Sequence, residues 1–216
     1  MEIIGVDQKS QDVPRRALEM LRDGGLVAFP TETFYALGAV AADEVAVTRV
    51  FAAKRRPPSD PVPVLVADRT QWRQVVAELP QSAVRLADRF WPGPLTIVCR
   101  MAPSLSRALA GGGETIGVRQ PGLPIAAAIC HMLGAPIVGT SANTHGFPSP
   151  VTAVQVALDL GANVDLILDG GRCPLARPST VVDVTRTPPG VVRVGAVPLA
   201  AIREVLGEIA VPDGVR

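Results

Sequence analysis

Along the chain, short apolar runs rich in β-branched residues alternate with stretches whose apolar residues recur at helical spacing. The runs at 25–30 (GLVAFP), 62–67 (VPVLVA), 94–99 (PLTIVC), 115–119 (TIGVR), 136–140 (PIVGT), 164–169 (VDLILD), 179–184 (STVVDV) and 190–194 (GVVRV) predict strands. Helices are predicted over 11–23, 43–55, 69–90 with a break near Pro80, 124–133, 152–161 and 198–209. Strands that follow or precede helices predict an α/β fold with a twisted mixed (parallel and antiparallel) sheet and flanking helices. The strands crowd together after residue 164, which predicts an antiparallel region there. No repeat, long linker or second apolar unit interrupts the pattern, so residues 1–207 read as a single domain and 208–216 as a frayed C-terminal tail.

Composition changes this picture little. Of 216 residues, 48% are hydrophobic and 19% charged, with no biased tract. A net charge of +1 argues against coating nucleic acid by bulk charge and leaves room for a local basic patch. Cys99, Cys130 and Cys173 lie far apart with no CxxC pair, which disfavours zinc and disulfide frameworks and suits a reducing cytoplasm. The opening MEIIGVDQKS lacks the apolar core of a signal peptide, and no apolar run reaches the ~20 residues of a membrane span. The expectation is a cytoplasmic protein without a membrane partner.

Familiar nucleotide motifs are missing: there is no GxxxxGK[ST], and GGGETIGV (111–118) has neither GxGxxG spacing nor a helix after it. His131 and His145 cannot build a histidine metal site by themselves, so no metal ligands are assigned. Four other stretches carry chemistry. In 43–66, Val47, Val50 and Phe51 form a helical stripe, and Lys54 falls on that buried face at the seventh position from Val47. A lysine there wants an anion, and Pro57 turns Arg56 out of the helix beside it. In TIGVRQPG, period two puts Thr115, Gly117 and Arg119 on one strand face, a hydroxyl and a guanidinium suited to a carboxylate or phosphate. GTSAN (139–143) ends a core strand in small polar groups, and 177–195 places Ser179 and Arg193 near strand ends. Each stretch has a plain structural explanation as well. Together they suggest anion handling by positioning and electrostatics, with no obvious general base.

PTETFYALG (30–38), KRRPPSDPVPVLV (54–66), FWPGPLTIV (90–98), GVRQP (117–121), GTSAN (139–143), PSTVVD (178–183) and VVRVG (191–195) resemble, in order, the motifs of the YrdC-like threonylcarbamoyl-AMP synthases, in their short, single-domain form. The resemblance implies a YrdC-like fold with a concave basic face. It also implies a nucleotidyltransferase that joins L-threonine, bicarbonate and ATP, with Mg²⁺ accompanying the ATP, into threonylcarbamoyl-AMP and pyrophosphate. A tRNA-modifying transferase complex would be the downstream partner, and weak direct RNA binding is a further expectation. By the same resemblance Lys54 and Arg56 are catalytic. Thr31, Thr33, Tyr35, Arg56, Arg119 and Ser179 serve threonine and bicarbonate; Lys54, Thr115, Ser141, Asn143, Ser149 and Arg193 serve ATP. Extended geometry past Pro30 is expected to aim Thr31, Thr33 and Tyr35 to one side. The family's common PTDT and YGLG stand here as PTET and YALG; Asp60 replaces a common lysine or asparagine, and Leu65 and Leu123 fall where histidines are frequent. Competing readings are a non-catalytic module gripping tRNA or double-stranded RNA, and a synthase of another carbamoyl-adenylate.

Overall fold

The computed structural model describes residues 1–211. Its elements run β1 (Glu2–Gly5), α1 (Arg15–Arg22), β2 (Val27–Pro30), β3 (Tyr35–Gly38), α2 (Glu44–Lys54), β4 (Val64–Leu65), α3 (Arg69–Val75), α4 (Gln81–Phe90), β5 (Leu95–Arg100), β6 (Thr115–Arg119), α5 (Pro124–Leu133), β7 (Ile137–Val138), β8 (Thr140–Ser141), α6 (Ala153–Asp159), β9 (Leu166–Asp169), β10 (Thr180–Asp183), β11 (Gly190–Arg193) and α7 (Leu199–Leu206). All the predicted helices form, and the 69–90 stretch breaks at Pro80, which precedes α4.

The strands sort into two mixed sheets where one was expected, in the orders β1-β9-β2-β3-β8 and β11-β10-β5-β6-β4-β7. β9 runs parallel to both β1 and β2, and β10 parallel to β5. The β2–β3, β5–β6 and β10–β11 pairs are antiparallel. The predicted strand 136–140 splits at Gly139: β7 pairs in one sheet and β8 in the other, so this residue is where the chain changes sheets. A Cβ at Gly139 would lie 2.3 Å from Leu65 Cγ, which explains why the crossing takes a glycine.

Local signals set how α2 meets the site. Asp43 caps its N-terminus by accepting from Ala46 N at 2.9 Å. Arg55 ends it in the left-handed conformation, φ 50°, and Pro57 prevents resumption. Val47, Val50 and Phe51 enter the main apolar core, as their spacing predicted. The expected tail starts with ordered backbone: Ala210 donates to Pro189 O and accepts from Val191 N, both at 2.8 Å. Positions 212–216 of that tail lie outside the described residues.

Candidate active site

A cavity of about 320 Å³ opens where the two sheets meet. Its walls include the β2–β3 loop, the segment 61–63, one face of β5 and β6, the Gly139 crossing, and the facing ends of β10 and β11. Arg56, Arg119 and Arg193 line it together with Thr31, Thr33, Thr96, Thr140, Ser141, Ser149 and Ser179, and among the described residues no carboxylate lines it. Three guanidiniums amid hydroxyls have the chemistry to hold anions.

The β2–β3 loop corrects the extended reading of residues 31–35. Pro30 pairs with Tyr35 across an antiparallel hairpin, so the intervening residues turn. Thr31 Oγ1 donates to Phe34 O at 2.7 Å and lies 2.9 Å from Thr33 Oγ1, which locks the turn from inside. Thr33 Oγ1 also accepts from Arg119 Nη1 at 3.0 Å. The Tyr35 hydroxyl is committed elsewhere: it donates to Gly171 O at 2.8 Å and accepts from Gly170 N at 3.2 Å. Burial and the nearby Asp169 carboxylate hold this phenol well above its ordinary range. Tyr35 borders the cavity while its hydroxyl ties β3 to the end of β9.

Lys54 is 1% exposed and is not among the lining residues. Its ammonium donates to Ser141 O, to Asn143 O at 2.6 Å and to Asn143 Oδ1 at 3.4 Å. The buried-face reading holds, and the partner differs from the anion expected: backbone carbonyls of the 141–143 turn receive the charge. Burial, then the neighbouring Arg56 charge, pull the amine down to about 7, while Asp159 acts the other way. Asn143 is buried in the same knot, its Nδ2 donating to Thr144 O at 2.9 Å and Phe147 O at 2.7 Å. Arg56 faces the cavity with its head oriented by neighbours: Nη2 donates to Pro61 O at 2.9 Å, and Nη1 lies 3.3 Å from His145 Nδ1. Burial lowers its pKa, opposed by Asp60.

On the opposite wall, Arg193 Nη2 donates to Ser179 Oγ at 2.9 Å and Nε to Ser179 O at 3.0 Å. Ser179 Oγ lies 2.8 Å from Thr96 Oγ1, giving a Thr96–Ser179–Arg193 relay of hydroxyls and charge. Burial, followed by repulsion from Arg119, lowers the Arg193 pKa. Of the residues singled out from sequence, Thr31, Thr33, Tyr35, Arg56, Arg119, Ser141, Ser149, Ser179 and Arg193 meet at the cavity; Lys54, Thr115 and Asn143 do not line it. Sequence reasoning missed Thr96, a polar residue inside an apolar strand, and Glu32 and His145, whose importance lies in what they touch.

A family model, Sua5/YciO/YrdC, described as telomere recombination, matches residues 19–195. The chain belongs to this Sua5/YciO/YrdC family. Among its curated relatives, the threonylcarbamoyl-AMP synthase of Pyrococcus abyssi is 42% identical, with 99% of this chain and 63% of that one covered. The threonylcarbamoyl-AMP synthase of Bacillus subtilis is 38% identical, with 97% of this chain and 61% of that one covered. The chain thus spans under two thirds of the length of these relatives. The structure of P. abyssi Sua5 complexed with L-threonine superposes with a TM-score of 0.93 at 41% identity, covering 98% of this chain and 63% of that one. The mixed sheets and flanking helices are those of Sua5/YciO/YrdC folds.

Among the described residues no cluster of His, Cys, Asp or Glu suits a resident metal ion, and no helix is long and apolar enough to cross a membrane. The three free cysteines are buried.

Proposed function

We propose that this chain is a threonylcarbamoyl-AMP synthase that uses L-threonine, bicarbonate and ATP. The observation that carries the reading is the convergence of Arg56, Arg119 and Arg193 with eight hydroxyl-bearing residues on one cavity that no carboxylate lines among the described residues. The relatives' names and the threonine complex of P. abyssi Sua5 support it.

The threonine amine adds to bicarbonate, with loss of water, to give a carbamate. A carbamate oxygen then attacks the α-phosphate of ATP, forming threonylcarbamoyl-AMP and releasing pyrophosphate. Three anions must share one space, and holding them in line supplies most of the rate. Arg119, with Thr33 and Ser179 near it, takes the amino-acid carboxylate. Arg56, fixed by Pro61 O and His145, faces the bicarbonate and the phosphates. Arg193, Ser141 and Ser149 take the nucleotide side. Lys54 acts one step back by holding the 141–143 turn, and Thr115 contributes only if ATP extends past the cavity. Mg²⁺ would enter with ATP as its metal complex and share the triphosphate charge. We place the reaction in the cytoplasm, where buried free thiols stay reduced, and its product passes to a tRNA-modifying transferase complex.

The test is pyrophosphate release from ATP–Mg²⁺ with threonine and bicarbonate supplied or withheld. Release that requires both is expected. Release without threonine would support a synthase of another carbamoyl-adenylate, and no release alongside tight RNA binding would replace the enzyme reading with an RNA-binding one.

A further inference from the structure

Glu32 stands between the two threonines of the β2–β3 loop, and it is buried, 8% exposed. One carboxylate oxygen, Oε2, accepts from Gly122 N at 2.9 Å, and the other, Oε1, lies 2.6 Å from Arg119 Nη2. That second contact is an ion pair without straight hydrogen-bond alignment, and neither atom has another partner among the described residues. The Arg119 guanidinium is held on its other nitrogens by Gly93 O at 3.2 Å from Nε and Thr33 Oγ1 at 3.0 Å from Nη1. Arg119 lines the cavity; Glu32 does not.

We infer that Glu32 is a positioning residue that sets the orientation of Arg119 toward the amino-acid carboxylate. An arginine carries five N–H donors in a rigid fork, so fixing one side of the fork decides which donors remain for a ligand. Thr33 and Gly93 hold two of them, and the Glu32 charge draws Nη2 toward the loop. The inference rests on the reading that Arg119 binds the threonine carboxylate. It also accounts for burying a carboxylate beside the cavity: Glu32 pairs with Arg119 without lining the open space.

Substitution separates the two jobs of Glu32. Both of its neighbours, Gly122 N–H and Arg119 Nη2, are donors. A glutamine has one acceptor and one donor, so either flip of its amide sets a donor against a donor. Glu32→Gln therefore releases either Arg119 or the loop, while Glu32→Asp keeps the charge on a shorter stem.

The experiment measures threonine binding by calorimetry and KM for threonine and for ATP, in the full chain and in Glu32→Gln, Glu32→Asp, Arg119→Lys and the Glu32→Gln/Arg119→Lys double variant. Circular dichroism melts confirm that each is folded. For Glu32→Gln, threonine should bind about tenfold more weakly, the loss of one charge-assisted contact, with KM for ATP unchanged. Glu32→Asp should recover most of that loss. In the Arg119→Lys background, Glu32→Gln should add less than about twofold, because residues acting as one unit are not additive. If Arg119→Lys leaves threonine affinity intact, the underlying assignment of the carboxylate to Arg119 fails and the inference fails with it. If Arg119→Lys weakens threonine but Glu32→Gln does not, or their effects simply add, the positioning role alone is overturned.

Discussion

Replacing Lys54 with methionine tests how the site is built, because the two residues are similar in length and only one carries charge. At pH 7 the sign of the stability change is close to balanced. The variant strands Asn143 O and Asn143 Oδ1 without their donor, at about 1–3 kcal/mol for each buried acceptor left unpaired, while Ser141 O loses the ammonium but keeps Asn143 N at 3.0 Å. It also removes an ammonium whose burial costs several kcal/mol. The pH dependence is not balanced. A lysine ordinarily titrates at 10.5, and Lys54 is pulled down to about 7. Below pH 7 both folded and unfolded chains hold this proton, and the burial penalty is complete. Between pH 7 and 10.5 the unfolded chain binds more protons than the folded one, so stability rises with pH, at up to roughly 1.4 kcal/mol per pH unit. Urea unfolding of both proteins from pH 6 to pH 9 isolates the effect as a difference between two curves. The wild type should gain about 2–3 kcal/mol over Lys54→Met between pH 7 and pH 9. Parallel curves would refute the lowered pKa of Lys54, showing that its carbonyl partners offset the cost of burial. The substitution should also lower turnover, since the 141–143 turn loses its anchor.

Tyr35→Phe should cost about 1–3 kcal/mol in urea unfolding, because Gly171 O and Gly170 N lose a buried partner; turnover at saturating substrates should hold. A large fall in kcat at unchanged stability would instead put this hydroxyl on the substrate. Arg56 meets His145 Nδ1 at 3.3 Å, so His145→Ala should lower kcat while His145→Asn, which offers an oxygen in place of Nδ1, keeps most of it. Equal losses in the two variants would count against orientation of Arg56 by this ring. Gly139→Ala sets a Cβ against Leu65 Cγ and should destabilise by about 1–3 kcal/mol through overpacking. Adding Leu65→Ala should return part of that loss in thermal melts, and failure to do so would move the strain from the side chain to the backbone of the sheet crossing.

What the sequence revealed depended on whether a residue's environment is periodic. β5 and β6 were visible because their apolar positions are buried in register. β1 was invisible because three of its four residues are exposed, so its EIIG carries no burial pattern to read. β3 was lost for another reason: VAFPTETFYALG looks like one interrupted strand until Pro30 pairs with Tyr35 and the threonines fold into a turn. Period two correctly put Thr115 and Arg119 on one face of β6, yet the cavity covers only the Gly117–Arg119 end of it, and extent along a strand is not a periodic property. Lys54 shows the limit most sharply. Its helical position was enough to bury it, and burial was enough to demand a partner for its charge. Phosphate and backbone carbonyl can each accept from an ammonium, and the carbonyls come from residues 87 and 89 positions away. A buried cation read from sequence therefore locates a wall of the site before it identifies a contact, and here the wall is the turn that presents Ser141 to the cavity.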